Sequence, residues 1–236
     1  MNKSLLTYSS STSIFGPLSR SLKTIVNDMD KEEFHDHGPT SIVLLFALIQ
    51  GYLSQVFIET LRNSEDYRKC QQEKLMIPYR ALTDLIINPA YNLRDIKANY
   101  KLLDINLAKV DNTNWNAINH LNNIRNLVAH GFPIVYHEMR LRDLDTKELD
   151  ILGTKFSLEE SFKYLKNNNL IDYTFEKENW KPGPDNRFEI FHFKVVKFFV
   201  QSCQDFIKKL RATTKISHGM GSDRFINEFV EWDIKS

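Results

Sequence analysis

The sequence predicts an all-α fold, a helical bundle that carries an irregular or small α+β insertion before its last long helix. Apolar residues recur at helical spacing along most of the chain, and glycine and proline are concentrated at a few breaks. The texture changes between about residues 131 and 185, where short mixed segments replace the helical pattern. With 236 residues, 42% of them hydrophobic, the chain can bury a substantial core.

The first helical segments follow a leader. We divide the chain into residues 1–38, a leader with a short amphipathic helix from about Leu18 to Met29, then a helical domain over 39–212 and a tail over 213–236. No secretory signal is recognised in the leader. The uncharged stretch 41–58 approaches the length of a membrane span, but polar residues interrupt it and Pro39 with Thr40 resembles the start of a soluble helix. We therefore expect a buried core helix here, no membrane partner and a cytoplasmic location.

The middle of the chain predicts three further helices. One spans about Lys69 to Ile87, with Pro78 expected to kink or split it. A mixed-face helix follows from Tyr91 to Ala108, and Asn112 begins the next.

The insertion and the last long helix complete the pattern. Within 131–185 we predict a short strand at 133–139, a helix at 157–168 and a breaker-rich turn at 180–186. From Phe188 to about Leu210 an aromatic and aliphatic stripe at helical spacing predicts a core-facing helix. A short helix around 225–232 ends the chain.

Charge, cysteine and metal-ligand patterns exclude several function classes. The net charge of +1 gives no overall field for nonspecific nucleic-acid binding, so a polyanion would need a local site. Cys70 and Cys203 form no zinc or redox motif. The acidic and histidine residues at 32–37 are interpreted as a solvated turn, and without a phosphate-cradling glycine loop we expect no metal and no cofactor.

The window 112–137 is almost free of charge. Arg125 is its single Asp, Glu, Lys or Arg, whereas the chain's 26% of charged residues would place about seven there. On a helix the apolar residues Ala117, Leu121, Ile124 and Val128 share one face, and the opposite side collects asparagines and His130. Because asparagine is a poorer helix former than Glu or Lys, this polar face indicates contact with a partner or ligand.

Two interpretations of Arg125 and His130 remain open from spacing alone. Gly131 and Pro133 place His130 in the last turn of the helix, where the helix dipole favours a basic side chain. Arg125 is then half of an ion pair in a purely structural role. The alternative is a functional pair.

The stretch RNLVAHG, residues 125–131, resembles the R-x4-6-H signature of HEPN domains, in the form with a polar residue after the arginine and glycine after the histidine. The resemblance extends from about residue 40 to 210, although only these few residues are specific. It implies metal-independent RNA cleavage by a homodimer, commonly in toxin–antitoxin or antiviral abortive-infection systems. It also implies an antitoxin or regulatory protein as a further partner.

The resemblance assigns roles to three residues. His130 would transfer a proton during attack by the RNA 2′-hydroxyl, Arg125 would hold the scissile phosphate, and Asn126 would orient either of them. On a straight helix Arg125 and His130 lie about 7.5 Å apart along the axis and point in divergent directions, so two copies related by a two-fold axis would form a better site. Further candidates for RNA contact are His120, Asn122, Lys208, Lys209 and Arg211.

A second function remains open from the sequence. The chain could be a noncatalytic HEPN-like module that binds nucleotide, RNA or a protein partner. The structural alternatives for the further candidates are that His120 only satisfies local polar contacts and that the helix dipole explains the basic residues near 208–211.

Overall fold

The protein is described by a computed structural model over residues 15–29, 37–73, 76–88, 90, 92–129, 158–171, 190–214 and 226–234. Within these ranges 85% of residues are helical and none lies in a strand, which confirms the all-α prediction. The helices there are α1 (Phe15–Asp28), α2 (His37–Asn63), α3 (Glu65–Gln72), α4 (Met76–Ile87), α5 (Leu93–Lys101), α6 (Leu107–Val110), α7 (Asn112–Ala129), α8 (Leu158–Asn167) and α9 (Phe193–Thr213). Residues 226–230 are also helical.

Three long helices form the centre of the bundle. α2, α7 and α9 contact one another, α1 and α3 to α5 pack against α2, and α8 packs against α7. Apart from Cys70 of α3, the buried apolar residues of these helices belong to one cluster. Its largest fully buried side chains include Phe46 and Tyr52 from α2, Tyr100 from α5, and Phe199 and Phe206 from α9.

α2 is the uncharged helix that the sequence places in the core. It is long and apolar enough to cross a membrane, with a mean hydropathy of 1.9, and 56% of that apolar window is buried inside the protein. Its contacts with α1, α7 and α9 support the interpretation as a core helix. The helix begins at His37, earlier than predicted, and Pro39 fits because the first turn needs no donor at that position.

Two predicted helices are each divided in the structure. The helix expected over 69–87 is split as anticipated, but the break lies after Gln72 and Pro78 occupies the first turn of α4, where proline is tolerated. The single helix expected over 91–108 is wrong. The chain leaves α5 through a left-handed residue, Asp104 (φ 58°), and Ile105 N donates to Tyr100 O at 3.0 Å before α6 begins.

The insertion contributes one helix to the described structure. α8 confirms the helix predicted at 157–168 and ends at Asn169 (φ 56°), where Leu170 N donates to Leu165 O at 3.0 Å. Leu165 and Phe162 are buried. The predicted strand at 133–139 and the turn at 180–186 lie outside the described residues.

The aromatic stripe of the last long helix is core, as predicted. Phe199 and Phe206 are fully buried, whereas Phe188 lies outside the described residues. The buried amide of Gln204 donates through Nε2 to Phe229 O and to Trp232 O, each at 2.8 Å. These two bonds hold the segment 226–234 against α9.

The start of α2 approaches the turn before α9 very closely. A Cβ atom at Gly38 would lie 2.2 Å from Phe191 O and 2.6 Å from Phe191 Cβ. Neither distance is compatible with van der Waals contact, so this approach requires glycine.

Candidate functional site

α7 carries the charge-poor window and runs through the middle of the bundle. It begins at Asn112 as predicted, after Asp111, whose carboxylate accepts from Asn114 N at 3.1 Å and from Asn114 Nδ2 at 3.0 Å. Every side chain from 114 to 128 is at least partly buried by the chain itself. The contacts of α7 with α2, α8 and α9 therefore explain most of the missing charge without a second subunit.

The apolar face of α7 is the one that the sequence predicts. Ala117, Leu121 and Ile124 are buried, and Val128 is half-buried against the same cluster. Arg125 follows Leu121 by one helical turn and so projects on the same side, toward α2. This placement differs from the polar face on which the asparagines lie.

Arg125 is held against an aromatic ring. Its Cζ lies 4.3 Å from the centroid of the Phe46 ring. Its Nε is buried and has no hydrogen-bond partner among the described residues, and no carboxylate in the described ranges lies within ion-pair distance of it. Burial lowers the pKa of Arg125, but a guanidinium remains charged at neutral pH. Within the described part of the chain, no acidic side chain therefore neutralises the charge of Arg125.

Asn122 and Asn126 lie on the polar side of α7 and are neighbours of Arg125 along the helix. Both are half-buried, and no hydrogen bond to either side-chain amide is found among the described residues. An amide offers two donors and an acceptor, which suits contact with a phosphate or a base edge. Asn126, adjacent to Arg125, is the closer of the two to the end of the helix.

The described part of this helix ends at Ala129. His130 and Gly131 therefore lie outside the described residues. The assignment of His130 stays a prediction.

His120 is not placed where it could contact RNA. It is 4% exposed, its ring stacks on Tyr164 with centroids 4.1 Å apart, and Nδ1 lies 3.0 Å from Ser161 Oγ. Burial lowers the pKa of His120 from its ordinary 6.5 to about 4, so the ring is neutral near pH 7. The RNA-contact prediction for His120 is corrected because α8 covers it, and the structural alternative fits.

A polar cluster missed by the sequence analysis joins α7 to α8. Asn123 Nδ2 donates to Ser161 Oγ at 3.2 Å, on the same hydroxyl that lies beside His120. Ser161 is fully buried. The same hydroxyl therefore contacts two side chains of α7, the amide of Asn123 and the imidazole of His120. The sequence offers only a weak signal for this contact, a serine within the helix predicted at 157–168.

α7 and α9 run antiparallel, which can be read from their ring contacts. Trp115, near the start of α7, has its ring 5.4 Å from that of Phe206, late in α9. His120, further along α7, reaches Phe198, earlier in α9, through the ring of Tyr164. Residues later in α7 therefore lie beside residues earlier in α9.

This arrangement separates the basic residues of α9 from Arg125. Arg125 lies about 15 Å further along the α7 axis than Trp115, whereas Lys208, Lys209 and Arg211 lie beyond Phe206 in the opposite direction. Their assignment as RNA contacts stays a prediction, but within one subunit they lie near the other end of the helix pair, apart from Arg125.

Arg211 also has internal partners. Its Nε donates to the Tyr52 hydroxyl at 3.1 Å, and Nη1 donates to Asn227 Oδ1. Lys208 is exposed and lies 3.5 Å from Asp205, while Lys209 is exposed. Arg211 therefore fastens the C-terminal segment to α2.

Other parts of the described chain offer weaker candidate sites. No group of three His, Cys, Asp or Glu side chains within the described ranges is placed to hold a metal ion. Of the turn at 32–37, only His37 is described, as the exposed first residue of α2. A groove of about 820 Å³ lies between α1 and the C-terminal segment, with Arg20 and Lys23 opposite Glu228, Glu231 and Asp233, and none of its lining residues belongs to α7.

Comparisons with protein families, with curated proteins and with solved structures find no match to this chain. The candidate site consequently stands on the sequence motif and on the geometry around Arg125.

Proposed function

We propose that the protein is a metal-independent endoribonuclease of HEPN type that acts as a homodimer. The observation that carries this proposal is the state of Arg125, a guanidinium in the last part of α7 that lies on an aromatic ring and has no carboxylate partner in the described residues. Such a cation is available to an external anion, and the next polar groups along the chain are the amide of Asn126 and the imidazole of His130.

The proposed reaction is attack of an RNA 2′-hydroxyl on the adjacent phosphorus. His130 takes the 2′-hydroxyl proton while the new P–O bond forms, the bond to the 5′-oxygen breaks, and that oxygen leaves with a proton supplied by a second imidazole or by water. Arg125 balances the charge that develops on the phosphorane oxygens. The products are a 2′,3′-cyclic phosphate and a 5′-hydroxyl end.

A homodimer supplies the second imidazole and a second guanidinium. Asn122 and Asn126 lie on the half-buried polar side of α7, where they are available to a neighbouring copy or to the RNA strand. We propose that the enzyme works in the cytoplasm as a toxin or antiviral effector, under the control of an antitoxin or regulatory protein. Cys70 and Cys203 are both free and buried, which agrees with a reducing compartment.

The test is cleavage of a panel of RNAs in EDTA by the wild type and by Arg125→Ala and His130→Ala. We expect the wild type to cleave and both variants to lose activity by at least about 100-fold. Matched controls are Arg62→Ala and His37→Ala, which remove an exposed cation and an exposed histidine from the ends of α2 and should keep full activity. Circular dichroism verifies that all variants are folded.

Mixing the two inactive variants tests the composite site. If the site needs groups from both subunits, heterodimers of Arg125→Ala with His130→Ala retain one intact pair and should recover part of the activity. A wild type that is inert on every RNA but binds one of them would instead identify the noncatalytic binding module. A strictly monomeric active enzyme would contradict the shared site.

A further inference from the structure

We propose that Phe46 of α2 is a positioning residue, whose ring holds the Arg125 guanidinium in the orientation that receives the RNA phosphate. The inference rests on the proposed function and extends it to a second helix. Phe46 is 1% exposed and lies in the middle of α2, which packs along α7. Its ring centroid is 4.3 Å from Arg125 Cζ.

The ring is the main compensation that the described residues give to this cation. Nε is buried without a hydrogen-bond partner there, so the desolvation of the guanidinium is offset by the face of the Phe46 ring rather than by an acceptor. The terminal nitrogens Nη1 and Nη2 are not in that buried, unpartnered state. We infer that these donors face outward, where a phosphate could accept from them.

An aromatic support differs from a carboxylate support in one respect that matters for phosphate binding. A carboxylate would fix the guanidinium through the same bidentate donors that a phosphate needs and would cancel its charge. The quadrupole of a ring attracts the cation from one face and leaves the in-plane donors and the charge uncommitted. Phe46 can thus restrict the orientation of Arg125 without competing for the ligand.

The experiment compares three full-length variants. Phe46→Leu removes the ring and keeps an apolar side chain, and Phe46→Tyr keeps the ring but introduces a hydroxyl into the core. Phe57→Leu is the matched control, because Phe57 is a buried ring of the same helix that contacts Tyr100. Each variant is assayed for stability in urea, for kcat and KM on a cleaved RNA, and for affinity to a 2′-O-methyl RNA of the same sequence.

We expect Phe46→Leu to lower kcat/KM and to weaken binding of the 2′-O-methyl RNA by about 2-fold to 30-fold, the range of a partly desolvated cation–π contact. Phe46→Tyr should retain wild-type values per folded molecule although its buried hydroxyl makes it less stable. Phe57→Leu should lose stability and keep its affinity. If kcat/KM and RNA affinity depend on the presence of the ring and not on the stability of the variant, Phe46 is a positioning residue.

The outcomes separate the two proposals. If the wild type cleaves RNA and Phe46→Leu behaves like the Phe57→Leu control, the role of Phe46 is overturned and the ribonuclease proposal stands. If the wild type neither cleaves nor binds RNA, the proposed function fails and the role of Phe46 fails with it. Should Phe46→Leu not fold, Phe46→Met replaces it, because its flexible, unbranched side chain adapts to the space that the ring leaves.

Discussion

Acidification should destabilise the protein through His120. The imidazole is buried against Tyr164 and Ser161, and burial lowers its pKa to about 4. In the unfolded chain the same group has its ordinary pKa of 6.5. Between these values the unfolded state binds a proton that the folded state does not, so the free energy of unfolding falls as the pH falls.

The size of the effect follows from the two pKa values. The linkage relation gives a loss of about 2 kcal/mol between pH 7 and pH 5, and about 3 kcal/mol once both states are protonated below pH 4. For a domain of this size about 2 kcal/mol is a large share of the total stability.

The assay is urea unfolding at pH 7, 6 and 5, followed by tryptophan fluorescence, for the wild type and for His120→Asn. The asparagine amide can still meet Ser161 Oγ but does not titrate. Because the two proteins share every other residue, the difference between the two free energies isolates His120. The stability advantage of the wild type should shrink by about 2 kcal/mol over this range. A difference that stays constant with pH would refute the assignment of a neutral, buried imidazole.

Three further substitutions test contacts away from Arg125. Ser161→Ala should cost about 1–3 kcal/mol and raise amide hydrogen exchange throughout α8, because it removes the hydroxyl that meets two side chains of α7. Gly38→Ala should cost about 1–3 kcal/mol in urea unfolding, since its Cβ would overlap Phe191 O. Arg211→Ala should lower the melting temperature, with a cost of about 1–3 kcal/mol, by releasing Asn227, and should leave RNA affinity unchanged.

Matched variants make these three results specific. Gly51→Ala, within the same helix as Gly38, should be neutral or stabilising by helix propensity. Lys209→Ala, an exposed neighbour of Arg211, should not change the melting temperature. Ser161→Thr keeps the hydroxyl but adds a methyl group at a fully buried position, so a smaller loss than that of Ser161→Ala would identify the hydrogen bonds as the cause. Weaker RNA binding by Arg211→Ala would instead indicate that Arg211 contacts RNA.

Much of the fold could be predicted because local periodicity determines which face of a helix is buried. The start of α7 at Asn112 and the buried Phe199 and Phe206 of α9 follow from spacing alone. The break between α5 and α6 was missed, because the left-handed turn at Asp104 involves a residue that mostly avoids this conformation. Any residue type other than glycine gives a weak signal there.

The candidate site was only partly predictable, for a different reason. The spacing of Arg125, one turn after Leu121, puts it on the apolar side of α7, an inference that the sequence analysis did not draw. Its partner on α2 is not readable, since nothing local in the sequence relates Arg125 to Phe46. The same holds for His120 and Ser161, which are 41 residues apart.

The support of Arg125 by Phe46 limits how far the motif can be moved or recognised by itself. A peptide of α7 would keep Arg125 but lose the Phe46 ring that packs against it. The same is true of the motif grafted onto another helical bundle. The short motif then has the same composition without the ring that packs against its arginine in this fold. Because the contact joins two helices, a sequence change in α2 alters the surroundings of Arg125 as directly as a change within RNLVAHG does.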